Sequence, residues 1–136
     1  RFHCIHPSKF NKPCNSDDNL KAIKKIINTN KLFGQWNDIV VNANWTSNIK
    51  KGFFKLWVNG KLVYHFIGRT VAPKDQITFQ FGIYRGAAQS SGDANHVVYY
   101  DEIRKAKSCK KLKLGKLGYS CQDLENQKIE KIYRLQ

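Results

Sequence analysis

The stretch GFFKLWVNGKLVYHFIG, residues 52–68, constrains the fold more than any other part of the chain. Asn59-Gly60 lies between two runs of alternating apolar and polar residues, and both tolerate the positive φ of a two-residue type I′ turn. The pattern therefore predicts a β-hairpin. In its first arm Phe54, Leu56 and Val58 share one face, with Lys55 and Trp57 on the other. In its second arm Leu62, Tyr64 and Phe66 oppose Val63, His65 and Ile67.

Further strands flank the hairpin. Residues 38–45, DIVVNANW, alternate Ile39, Val41, Ala43 and Trp45 against Val40, Asn42 and Asn44. After a Pro73-Lys74-Asp75 turn comes TFQFGIYRG, 78–86, then a polar loop, GAAQSSGDANH, and VVYYDEIR from 97 to 104. At least five strands with short turns and no helices between them indicate an all-β antiparallel β-sandwich or jelly roll. The ends differ. Ser16-Asp17-Asp18 followed by Leu20, Ile23 and Ile27 predicts a short amphipathic helix, and a second short helix is expected near 122–135. Between Arg104 and Lys116 lie seven basic residues, read as a solvated tail. The expected division is a β domain over 1–108 and a basic C-terminal extension over 109–136.

Charge narrows the function classes. A net charge of +14 over 136 residues favours an acidic partner: nucleic acid, an anionic membrane surface or an acidic polysaccharide. Lysines far outnumber arginines, which suits diffuse attraction more than bidentate phosphate recognition. The basic residues are spread along the chain without a nucleic-acid motif, so no nucleic-acid partner is expected. No apolar run is long enough for a membrane span. The chain opens on Arg1 and contains no Met, and is read as a processed product or a piece of a longer chain.

Cysteines stand at 4, 14, 109 and 121. Their spacing gives no zinc motif, and His3 and His6 do not complete one. Two local bridges, Cys4–Cys14 and Cys109–Cys121, are the simplest of three pairings. The even count fits an extracellular or secreted protein, with buried free thiols as the alternative. Asn44-Trp45-Thr46 matches a glycosylation sequon but falls inside an expected strand, where chance is the better reading.

The strand 78–86 carries the most specific signal. Phe79, Phe81 and Ile83 are expected in the core, leaving Gln80, Gly82 and Tyr84 together on the other face. The segment Trp36–Arg104 resembles the jelly-roll polysaccharide lyases that include alginate, glucuronan and heparin lyases. The matching pieces, in order, are Trp36–Val41 (WNDIVV), Gly52–Lys61 (GFFKLWVNGK), Phe79–Arg85 (FQFGIYR) and Tyr99–Ile103 (YYDEI), about half the chain. The resemblance implies a concanavalin-like jelly roll of which about half the strands are present. An upstream segment or a second chain would complete it.

The resemblance also implies that Tyr84 is catalytic. The residue four before it, usually a substrate-binding Lys, is here Gln80. The Gln/His pair of the family has no match in this sequence and is expected upstream of Arg1. Such enzymes cleave uronic-acid polymers by β-elimination, with no cofactor and no metal. A phenol of ordinary pKa near 10 is a poor base at neutral pH. A strongly positive groove would favour the phenolate and bring it within reach. Gln80 and Arg69 are the candidates for neutralising the substrate carboxylate. From alternation alone, Asn42 and Asn44 project together from one strand and Lys55 and Trp57 from the next, an amide-and-ring set that suits sugars. His65, between Val63 and Ile67, is expected as a packed histidine. The expected function is therefore lyase action on an acidic polysaccharide; the alternative is a non-catalytic carbohydrate-binding module on the same fold. A hydrolase would need paired carboxylates, and Asp101-Glu102, being adjacent, point to opposite faces.

Overall fold

The computed structural model describes residues 27–71, 73–74, 76–83 and 97–134. At its centre is the hairpin. β2 (Phe53–Val58) and β3 (Lys61–Ile67) are antiparallel, with Asn59 at φ 50° and Gly60 at φ 76°, the left-handed pair that a type I′ turn demands. Gly60 is constrained a second time, because a Cβ there would stand 2.8 Å from the ring of Tyr119. β1 (Ile39–Asn44) pairs antiparallel with β2, and β4 (Tyr133–Arg134) lies parallel to the far edge of β3. The four-stranded sheet has the order β1-β2-β3-β4. The protein is β-rich, as expected.

Alternation sorts the sheet into two faces. The rows Ala43–Phe54–Phe66 and Val41–Leu56–Tyr64 run straight across β1, β2 and β3. On this face Phe54, Leu56, Val58, Tyr64 and Phe66 form a buried cluster, with Ile27, Leu32, Ala43, Val63 and Tyr133 packed against it. The Tyr133 ring stacks on Tyr64 at 5.1 Å, so the short β4 extends the same core.

One detail of the hairpin differs from the alternating expectation. Leu56 opposes Tyr64, but Trp57 opposes Leu62, so the register shifts between Leu56 and Trp57. Val63 is the extra residue of a β-bulge, and the bulge turns Leu62 onto the face of Trp57. There the two pack with Leu114 and Leu124 in a second buried cluster.

That second cluster depends on the C-terminal segment. α1 (Cys109–Leu112), a 3-10 turn (Leu114–Leu117) and α2 (Cys121–Asn126) are tied by the Cys109–Cys121 disulfide, one of the two local bridges expected. Ser120 caps α2 by accepting the Asp123 amide. Trp57 is only 1% exposed, and its indole N–H donates to the Leu124 carbonyl at 3.0 Å. Gln127 completes the seam: its carbonyl oxygen accepts the Leu62 amide and its NH₂ donates to Gly60, both at 2.7 Å. The basic stretch is thus not a solvated tail throughout. Its lysines face solvent, while Leu114 is buried. The helix expected over 122–135 is real only at its start, since residues 133–134 are strand.

Of the strand expected over 78–86 the described part is 78–83; neither it nor residues 97–104, expected as another strand, pairs with a strand among the described residues. Phe79, Phe81 and Ile83, expected in the core, are 55%, 59% and 45% exposed. Alternation fixes which side of a strand is apolar, but burial also needs a partner surface, and none of the described elements covers this one. The two segments do meet each other, since the Phe81 ring sits edge-on to Tyr100 at 5.5 Å. The helix expected near residue 16, the Cys4–Cys14 bridge, the loop 86–96 and Tyr84 lie outside the described residues. Among the described residues no helix is long and apolar enough to cross a membrane.

Candidate functional site

The sheet face opposite the Phe54 cluster divides into two halves. The half near the hairpin turn is sealed by the C-terminal segment over Trp57 and Leu62. The other half is left open by the described residues and carries a polar row, Asn42–Lys55–His65, one residue from each of β1, β2 and β3. Because the row is set by strand register, its spacing is that of neighbouring strands, roughly 5 Å from one to the next.

The loop between β1 and β2 walls this half. Asn48 organises the loop: its side chain accepts the Lys50 amide at 2.9 Å, and its carbonyl accepts the Gly52 amide at 3.0 Å. Asn44 donates to the Lys51 carbonyl at 2.8 Å, and Thr70 bonds both Asn44 and Thr46 through its hydroxyl. Gly52 passes so close to Gly68 that a Cβ would lie 2.0 Å from the Gly68 carbonyl oxygen; only glycine allows this approach. The result is a cleft of about 380 Å³ lined by Asn42, Lys50, Lys51, Lys55, His65 and Glu125, with Phe53, Ile67 and Gly52 at its apolar side. Among the described lining residues three lysines stand against one carboxylate.

Glu125 reaches the cleft from the last turn of α2. Its Oε1 accepts from the Asn42 amide at 2.7 Å and its Oε2 from the Lys55 ammonium at 2.5 Å. Burial pushes the Glu125 carboxyl up, but the hydrogen bonds from Lys55 and Asn42, with the charges of Lys55 and His65, outweigh it and hold the group below its ordinary value. Lys55 also lies 5.8 Å over the Trp57 ring. With 20% and 39% of their side chains exposed, Lys55 and Glu125 form a partly solvated pair worth about 1 kcal/mol or less. Such a pair is inexpensive to open. The His65 imidazole is held below its ordinary 6.5, first by burial and then by the positive charges of Lys55 and Arg134, against the pull of Glu125.

The structure thus brings together two of the residues expected to bind substrate, Asn42 and Lys55. Asn44 supports the cleft by fixing the loop and does not line it. Arg69 is elsewhere: its Nε donates to the Ser47 carbonyl at 3.0 Å and ties the chain just after β3 to the β1–β2 loop. Gln80 is exposed on the segment 76–83, away from the cleft lining. Trp57, which alternation placed on the same face, is sealed in the second cluster. The structural neighbours that sequence reasoning passed over are Glu125, Lys50 and Lys51, together with the access of His65 to the cleft. Glu125 sits in a polar stretch, ENQK, with no local pattern to mark it. Among the described residues no cluster of three His, Cys, Asp or Glu could hold a metal ion.

A family model described as polysaccharide lyase matches residues 6–104, well over half the chain. The chain belongs to the polysaccharide lyase family. No curated protein and no solved structure matches it. Within this lyase-family chain the matched span contains the row Asn42–Lys55–His65, the two lysines of the loop, Gln80 and Tyr84. It ends before Cys109, so Glu125 and the disulfide-tied segment lie outside it.

Proposed function

We propose that the protein is a polysaccharide lyase acting on an acidic, uronic-acid-containing polysaccharide by β-elimination, with Tyr84 as the reacting group. The observation that carries the reading is the basic cleft on the open half of the sheet, in a chain of the polysaccharide lyase family. A uronate carboxylate entering it would meet the Asn42 amide and the Lys55 ammonium, with Lys50 and Lys51 beside them. Neutralising that carboxylate is what the chemistry needs. Removal of the proton on the adjacent carbon leaves negative charge that spreads into the carboxylate, and fixed positive charge stabilises that state. The electron pair then forms a carbon–carbon double bond as the glycosidic oxygen departs, and that oxygen takes up a proton. Tyr84 would take the first proton as phenolate and return it to the leaving oxygen as phenol. A completed jelly roll, with strands added by an upstream segment or a second chain, and secretion in keeping with the disulfide, belong to the same proposal.

The test is incubation of the purified protein with alginate, glucuronan and heparin-like polymers, followed by ultraviolet absorbance of the conjugated double bond. New unsaturated ends are expected from at least one polymer, and their loss in Tyr84→Phe with the fold intact. Wild-type-like rates in Tyr84→Phe would reject its role. A second reading, a carbohydrate-binding module without catalysis, draws on Gln80, which stands where the family usually has a lysine. Binding to these polymers without any new double bonds would establish it.

A further inference from the structure

We infer that Glu125 is an internal stand-in for the substrate's carboxylate: it occupies the carboxylate receptor of the cleft and must be displaced by an acidic sugar. The inference rests on the reading of the cleft as a uronate site. Its starting observation is the bonding of Glu125, one carboxylate oxygen on an amide and the other on an ammonium, at 2.7 Å and 2.5 Å. A uronate presents the same group, a planar carboxylate with two acceptor oxygens, and would be held by the same two donors.

Three further features fit this role and would not be needed by a purely structural ion pair. Among the described residues that line the cleft Glu125 is the only carboxylate, set among Lys50, Lys51 and Lys55, so it neutralises the place where an anion would bind. The pair is partly exposed, on the open side of the sheet, and α2 is held independently of it by Trp57, Gln127 and the Cys109–Cys121 disulfide. Glu125 can therefore swing out without unseating the helix. It also belongs to the C-terminal segment, beyond the span that the family model matches. Its consequence is selectivity. A single isolated carboxylate must compete with Glu125 for one receptor, whereas a polymer gains from several lysines at once and displaces it more readily.

The experiment compares wild-type protein, Glu125→Gln and Glu125→Ala in binding to polyglucuronate, alginate and heparin, and to free glucuronate, by calorimetry. Near-ultraviolet circular dichroism in a Trp36→Phe/Trp45→Phe background, where Trp57 is the remaining tryptophan, reports the packing of the segment in each variant. Both variants are expected to bind the acidic polymer roughly two- to tenfold more tightly, with a larger relative gain for free glucuronate. Equal affinity would make the ion pair structural only. Weaker binding, with Trp57 still packed, would make Glu125 a group that orients Lys55 for the substrate. Either result overturns the inference while leaving the uronate site standing. If neither wild type nor variants bind any acidic polymer, the reading of the cleft itself fails, and the inference fails with it.

Discussion

His65 shows how much a single side chain draws from its row. It lies directly across from Lys55, and Glu125 and Arg134 are the other charges that reach it. Burial and the two cations lower its affinity for a proton, while Glu125 raises it. Its titration should therefore respond in opposite directions to its neighbours. In a proton NMR titration the His65 ring is expected to have a midpoint below 6.5; Lys55→Gln should move it up and Glu125→Gln should move it further down. Movement of both variants in one direction would mean that the row is not assembled in solution. The sign for stability follows from the same shift. A histidine with a folded-state pKa below its unfolded value adds no penalty above about pH 6.5. As pH falls from 6.5 toward the folded value, the unfolded chain binds the proton first, and stability declines across that window. His65→Gln should flatten that part of a denaturation-versus-pH curve.

At the level of elements, the hairpin and the C-terminal segment make opposite cases for what a sequence discloses. Asn59-Gly60 and the alternation around it locate β2 and β3, and Ile39, Val41 and Ala43 locate β1, because turn chemistry and a period of two are local properties. The bulge at Val63 is not local in that sense. It exists because Leu62 is drawn toward Trp57, Leu114 and Leu124, and two of these partners are more than 50 residues away in sequence. The same holds for Glu125: its place in the cleft is fixed by α2 docking on Trp57, not by its own neighbours in the chain. Phe79, Phe81 and Ile83 illustrate the reverse, a clear local pattern whose burial depends on a partner surface. The segment that docks on Trp57 also depends on its covalent tie. The Cys109–Cys121 bridge has a sequence separation of 12, for which the loss of chain entropy in the unfolded state gives about 3 kcal/mol. A Cys109→Ser/Cys121→Ser protein should lose about 2–3 kcal/mol in urea unfolding and, in a Trp36→Phe/Trp45→Phe background, show red-shifted Trp57 emission, as water reaches the indole. Unchanged stability and emission would mean that Leu114, Leu124 and Gln127 hold the segment without the bridge.

For the molecule as a whole, the question is whether affinity for an acidic polymer comes from charge or from the exposed rings. Both are available. The chain carries +14, and Phe79, Phe81, Tyr99 and Tyr100 all lie open to solvent. Salt separates them, because the Debye length shrinks from about 10 Å at 0.1 M to about 3 Å at 1 M, while stacking on apolar sugar faces persists. If the cleft lysines and the diffuse charge around them dominate, affinity for a uronate polymer should fall at least about tenfold over that range, as condensed counterions are no longer released at a gain. A neutral polysaccharide of the same length should bind weakly at both ends of the range. Replacing Lys50 and Lys51 with Gln should reduce the salt slope without changing the fold, since both are held only through backbone bonds of the loop. A salt-independent affinity, or equal binding of the neutral polymer, would place recognition on the aromatic segments instead. The cleft would then be a polar seam between the sheet and the disulfide-tied segment, with Glu125 serving to close it.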